Sequence, residues 1–185
     1  MLFYMKKEDY KKCKDFAEKV YPTLHYLRNR NQRNEKTIKN QIITGKLGEI
    51  GVYRYFISKN IECTLPDFEV TTKKSYNADL KIKGDIPCHV KSQSIESAKR
   101  YGTSWTFQYG NIYGYNPDKE IFLSENPVDI VVFTIVSDDV VNIKSIISLR
   151  DLLKKCKFSD PKLKHLKGIK KVIYANDIPK KYIIE

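Results

Sequence analysis

Residues Val128-Asp-Ile-Val-Val-Phe-Thr-Ile-Val136 are almost all β-branched or aromatic, interrupted by a single charge at Asp129. A run with no polar face to turn toward water reads as a strand buried on both sides, the state of a strand in the middle of a covered sheet. Such a strand needs neighbours in its own sheet and layers above and below it. The rest of the chain therefore has to supply further strands and at least some flanking helices.

Both are legible. Tyr10, Cys13, Phe16, Ala17 and Val20 recur at helical intervals between Lys6 and Val20, and Pro22 stops that helix. A second, long helix is expected from Glu35 or Thr37 to about Lys59, with Ile42, Ile43, Leu47, Ile50, Val52, Tyr53, Phe56 and Ile57 as a broad apolar face. Gly45, Gly48 and Gly51 recur within it, and each costs roughly 1 kcal/mol of helix propensity relative to Ala. Close approach of the helix backbone to a sheet is the simplest reason for tolerating them; a helix that starts only near Gly45 is the alternative. Beyond Asn60 the pattern becomes extended. Ile61 to Val70 suggests a first strand bent at Pro66-Asp67. Ala78, Leu80 and Ile82 alternate with polar residues as in a half-buried strand, and Gly84-Asp85 turns the chain into a returning strand over Ile86 to Ser92. Ser94 to Asn126, rich in Gly, Tyr, Asn and Ser, is long for a connection inside one domain, so it is either functional or carries short structure of its own. Ser145 to Lys155 reads as an amphipathic helix with Ile146, Ile147, Leu149, Leu152 and Leu153. Lys170 to Ala175 and Tyr182 to Ile184 read as late strands. The expected architecture is an α/β sandwich on a mixed sheet.

The 185 residues suit one domain, with residues 1–40 as a helical and basic extension and residues 41–185 as the core. Lys and Arg number 34 against 22 Asp and Glu, a net charge of +12, which favours a polyanionic partner unless it reflects only an AT-rich coding genome. No apolar run of about 18 residues exists, so no membrane span is expected. The start lacks a secretory leader, and Cys13, Cys63, Cys88 and Cys156 show neither a CxxC pair nor zinc-finger spacing. A soluble, cytoplasmic protein with free thiols is expected, not a secreted one. His25 and His165 have no carboxylate at a ligand interval and receive no site role.

One constellation carries chemistry. Gly48-Glu49 lies on the long helix, Asp79 on the first hairpin strand, and His89-Val90-Lys91 on the second, with Gln93 two residues further on the Lys91 face. Mg²⁺ takes hard oxygen ligands from one or two carboxylates, a backbone carbonyl and waters. Asp79 fits the first carboxylate and the main-chain carbonyl near Val90 the neighbouring ligand. Lys91 is placed to orient or polarise an attacking water.

Over roughly residues 40 to 137, a Gly-Glu on a helix, an Asp on a strand and x-Val-Lys on the next strand after a short hairpin resemble the PD-(D/E)xK nuclease superfamily. That resemblance implies a restriction-endonuclease-like core, with a central mixed β-sheet flanked by helices and one extra N-terminal helix. It implies a Mg²⁺-dependent DNA endonuclease, with Mn²⁺ as a further metal, acting as a homodimer in a bacterial, archaeal or viral cytoplasm. Glu49 and Asp79 would hold the metal with the Val90 carbonyl, and His89, Lys91 and Gln93 would complete the catalytic set. The motif's acid two residues before the lysine is here His89, and imidazole is a poor Mg²⁺ ligand. Either Glu49 supplies the missing carboxylate, which is the favoured reading, or the site takes Mn²⁺, or catalysis is lost and a nucleic-acid-binding protein of the same fold remains. Arg28, Arg30, Arg33, Lys36 and Lys39 form a candidate phosphate-binding segment, and Gln108 a further candidate contact. The lysines from Lys154 to Lys171 form a second basic region.

Overall fold

The computed structural model describes residues 1–24, 34–71, 78–108 and 128–184. Among them the elements are β1 (Leu2–Tyr4), α1 (Lys7–Val20), α2 (Glu35–Ser58), β2 (Leu80–Ile82), β3 (Ile86–Ser94), α3 (Ile95–Tyr101), β4 (Ser104–Gln108), β5 (Ile130–Val136), β6 (Val140–Ser148), α4 (Leu149–Lys155) and β7 (Lys170–Tyr174). A five-stranded mixed sheet has the order β1-β6-β5-β3-β2, and β4 pairs with β7 in a separate two-stranded sheet. β3 and β5 run parallel from Cys88↔Ile130 to Ser94↔Val136, and the other pairs of the large sheet are antiparallel. The architecture is α/β, as the buried apolar run requires, and β5 is that run. Val131, Val132 and Phe133 have no exposed surface.

The two covers of β5 have different origins. On one face α2 packs with Val52 and Phe56 against Leu80, Ile82, Cys88, Val132 and Ile143. α1 lies outside α2, where Cys13 and Ala17 meet Ile43, Leu47, Ile50, Val136 and Val141. On the other face Val131, Phe133, Ile135 and Ile147 meet Ala98 of α3, Trp105 and Phe107 of β4, Leu149 and Leu152 of α4 and Ile173 of β7. The Trp105 indole N–H also donates to the Thr134 carbonyl at 2.9 Å, so the β4–β7 layer is fixed to the sheet by direction as well as by area.

α2 forms because Asn34 caps it, its side chain accepting from the Thr37 amide at 2.8 Å, and because it is apolar on the two sides that α1 and the sheet cover. Two of its glycines have the reason expected of them. A Cβ on Gly48 would stand 1.9 Å from Ser92 Oγ, and one on Gly51 would stand 2.5 Å from Val141 Cγ1. A Cβ on Gly45 would meet nothing within 4 Å. Gly45→Ala is therefore expected to stabilise the fold by about 1 kcal/mol through helix propensity. Gly51→Ala is expected to destabilise it by about 1–3 kcal/mol through overpacking. Urea unfolding of the two variants checks the pair, and equal shifts would contradict the packing.

Several expected elements differ. Ile61 to Val70 is not a strand: only Cys63 bridges to Ile82, and Asp67 caps the Glu69 amide at 2.7 Å in a turn. The helix expected over Ser145 to Lys155 begins only at Leu149. The residues before it continue β6, in which Val141, Ile143, Ser145 and Ile147 alternate inward. Ile146-Ile147 fits either period, and the Ser137–Val140 turn decides it by returning the chain antiparallel to β5. β1, α3 and β4 are additional; Ser94 caps α3 at Ser97, and Gly102 ends it with φ near 90°. In the last segment β7 matches expectation, but Lys180–Tyr182 is a single 3₁₀ turn, followed by a bridge from Ile183 to Ser145. No helix among the described residues is long and apolar enough to cross a membrane.

Candidate active site

β3 outruns β2. The two pair only over Ile86 to Cys88, while β3 continues along β5 to Ser94. At the first outward-facing position left uncovered, the Val90 amide donates to Asp79 Oδ2 at 2.7 Å. In an extended strand the N–H and C=O of one residue point to the same side, so the Val90 carbonyl opens onto the same edge. Asp79 is thus held where β2 turns away, beside a main-chain oxygen.

Glu49 approaches from α2. It is only 7% exposed, in a helix otherwise buried there by Leu47, Gly48, Ile50 and Gly51. Burial first, and then the negative charge of Asp79, push its carboxyl up from the usual range to about 8, although Lys46 opposes the shift. Lys46 Nζ lies 2.7 Å from Glu49 Oε2, and 5.2 and 5.5 Å from the ring centres of Phe16 and Phe68. Asp67 adds a smaller push in the same direction as Asp79. Lys46 and Asp67 were not among the residues singled out from sequence. Lys46 stands three residues before Glu49 on one helix face and was open to inference. Asp67 in an irregular segment was not.

His89, Lys91 and Gln93 project from the opposite face of the sheet, beside Val131, Phe133 and Ile135 of β5. His89 Nε2 hydrogen-bonds Asp129 Oδ2 at 3.2 Å. The Lys91 ammonium sits 5.2 Å from the Phe107 ring centre. Gln93 ties β3 to the start of β4: its Oε1 accepts from the Ser104 amide at 2.9 Å, and its Nε2 donates to the Gly102 carbonyl at 3.1 Å. Gln108 is buried at the end of β4. Lys36 is exposed in the first turn of α2, whereas Lys39 pairs with Glu18 and Glu35. Arg28, Arg30 and Arg33 lie outside the described residues.

The structure therefore brings Glu49, Asp79 and the Val90 carbonyl to one edge, and places His89 and Lys91 around the strand from Glu49. Among the described residues no group of three or more His, Cys, Asp or Glu side chains is arranged to hold a metal ion. The protein's own donors at the edge are two carboxylates and a carbonyl. That set fits Mg²⁺, which keeps several waters and takes hard oxygen ligands. It also fits the electrostatics, since two acids held together, one of them buried, are relieved by a cation. Compared with family models, curated proteins and solved structures, the chain shows no significant match to any of them.

Proposed function

We propose that this protein is a Mg²⁺-dependent DNA endonuclease, of the restriction-endonuclease-like type that the residue pattern resembles. The observation that carries the reading is the pairing of a buried, charge-strained Glu49 with Asp79 beside the open carbonyl edge of Val90. When bound, the metal supplies charge neutralisation on the phosphoryl group and acidifies a water. Asp79 and Glu49 hold it with the Val90 carbonyl. Lys91 extends its ammonium toward the substrate side of β3, where it orients the attacking water and balances phosphate charge. The excess of basic residues, +12 overall, draws the polyanion in and makes its binding salt-dependent. Two copies acting together to cut both strands belong to the same proposal.

Cleavage of plasmid and of short duplex DNA, with Mg²⁺ and then Mn²⁺, tests it. The wild type is expected to cut, and Lys91→Ala to lose most of the rate while still binding DNA. A specific observation favours one other reading: Lys46 already offers Glu49 a countercharge, and His89 stands where an acid is expected. A nucleic-acid-binding protein without catalysis would bind DNA in a salt-dependent way and cut with neither metal.

A further inference from the structure

His89 is held as a metal-ligating histidine is held. Its Nε2 faces the Asp129 carboxylate at 3.2 Å, with side-chain exposures of 16% and 6%. An ionised carboxylate only accepts, so Nε2 carries the proton and Nδ1 is left as the lone-pair nitrogen. No hydrogen bond among the described residues engages Nδ1. The support is well anchored. Asp129 is 4% exposed, immediately precedes β5, and its carbonyl accepts from the Leu149 amide at 2.7 Å. The parallel register Cys88↔Ile130 and His89↔Val131 sets the two side chains on one face.

On its other flank His89 has Asp79. The β2–β3 register runs Ile82↔Ile86, Lys81↔Pro87, Leu80↔Cys88, and the next pair along is Asp79 and His89. Residues directly opposite across two antiparallel strands have Cβ atoms about 4.5–5.5 Å apart. A carboxylate, an imidazole and a second, buried carboxylate thus stand in a row across three strands. An imidazole that donates its far N–H to a carboxylate and turns its other nitrogen toward a metal is the usual outer-shell arrangement of histidine metal sites.

The geometry points to His89 as a nitrogen ligand of the metal at the Asp79 edge, with Asp129 as the positioning residue that fixes its tautomer. This rests on the metal-centre reading above and sharpens it, because one nitrogen among oxygens shifts preference from Mg²⁺ toward Mn²⁺ and other transition metals. The cation itself draws Asp79 and His89 onto one point.

Pulsed electron paramagnetic resonance of the full chain loaded with Mn²⁺ reads the ligand directly. The wild type is expected to show modulation from a directly bound ¹⁴N, and His89→Gln to lose it while still binding Mn²⁺ through Asp79 and Glu49. Asp129→Asn is expected to weaken Mn²⁺ binding about 10–100-fold, with little change for Mg²⁺. His89→Asp, an all-oxygen set, is expected to shift the Mn²⁺-to-Mg²⁺ affinity ratio toward Mg²⁺. The wild-type signal depends on no variant folding. Mn²⁺ bound without ¹⁴N modulation, or with modulation that survives in His89→Gln, overturns the inference and leaves the metal centre standing. Failure of the wild type to bind Mn²⁺ or Mg²⁺ at all overturns both.

Discussion

Asp79→Asn is expected to lower metal-dependent DNA cleavage by about a thousandfold or more, while leaving the fold intact. The size follows from the position. Asp79 is the carboxylate that the Val90 amide holds, at 2.7 Å, beside the carbonyl edge of β3. An amide in its place keeps an acceptor for that amide, so the local hydrogen bond survives. It removes the charge that holds a cation, and a metal contributes several kcal/mol of transition-state charge stabilisation, where about 1.4 kcal/mol is tenfold in rate. Steady-state cleavage rates, with circular dichroism and melting of the same samples, check the expectation. A variant that is folded, binds DNA and cuts at the wild-type rate contradicts it.

The second large effect is on stability and reverses with metal. Glu49 has its carboxyl raised from 4.5 to about 8, by burial first and by Asp79 next. In the unfolded chain it loses its proton near the usual value; in the folded, metal-free protein it keeps the proton until about pH 8. The folded state therefore binds the extra proton, and the stability this gives is complete below the unfolded value. It is lost as pH rises through the interval up to the folded value, on the order of 4 kcal/mol across the window. Metal-free wild type is expected to be progressively less stable from pH 5 to pH 8 through this group. Glu49→Gln is expected to flatten that slope and to be the more stable of the two at pH 8. Adding Mg²⁺ reverses the order. The cation binds the ionised carboxylate, so wild type gains stability by mass action, about 2.7 kcal/mol at a hundredfold excess over the dissociation constant, and Glu49→Gln gains little. Urea unfolding at pH 5, 6.5 and 8, with and without Mg²⁺, measures all of this. Parallel pH curves for the two proteins would remove Glu49 from the site.

The sequence carried some of this arrangement openly. An unbroken β-branched run can only be a covered strand, and it is β5, with no exposed surface from Val131 to Phe133. The hairpin before it showed in the alternation of Leu80 and Ile82, and the long helix in its apolar face. The glycines of that helix announced close packing, true of Gly48 and Gly51 and not of Gly45. β6 was hidden because Ile146-Ile147 satisfies both periods, and only the turn to β5 chooses between them. β1 is three residues long, too short for any period to show.

At the site, Glu49, Asp79 and Val90 were legible because each is a residue type the chemistry needs, placed on an element with a clear pattern. Asp129 was not. It lies inside the apolar run as its one charge, and its partner His89 is 40 residues away. That pairing depends on β3 and β5 lying parallel in one register, which local sequence does not encode. The positions of Lys46 over Phe16 and Phe68, and of Asp67 near Glu49, depend on how the irregular segment after α2 crosses α1 and α2.

The most direct test of the metal centre is a crystal of the full chain soaked in Mn²⁺ and measured at wavelengths on both sides of the Mn absorption edge. The account predicts an anomalous peak within about 2.0–2.4 Å of carboxylate oxygens of both Glu49 and Asp79. A well-ordered edge at Val90 with no anomalous peak there, or a Glu49 still paired to Lys46 at saturating Mn²⁺, would contradict it.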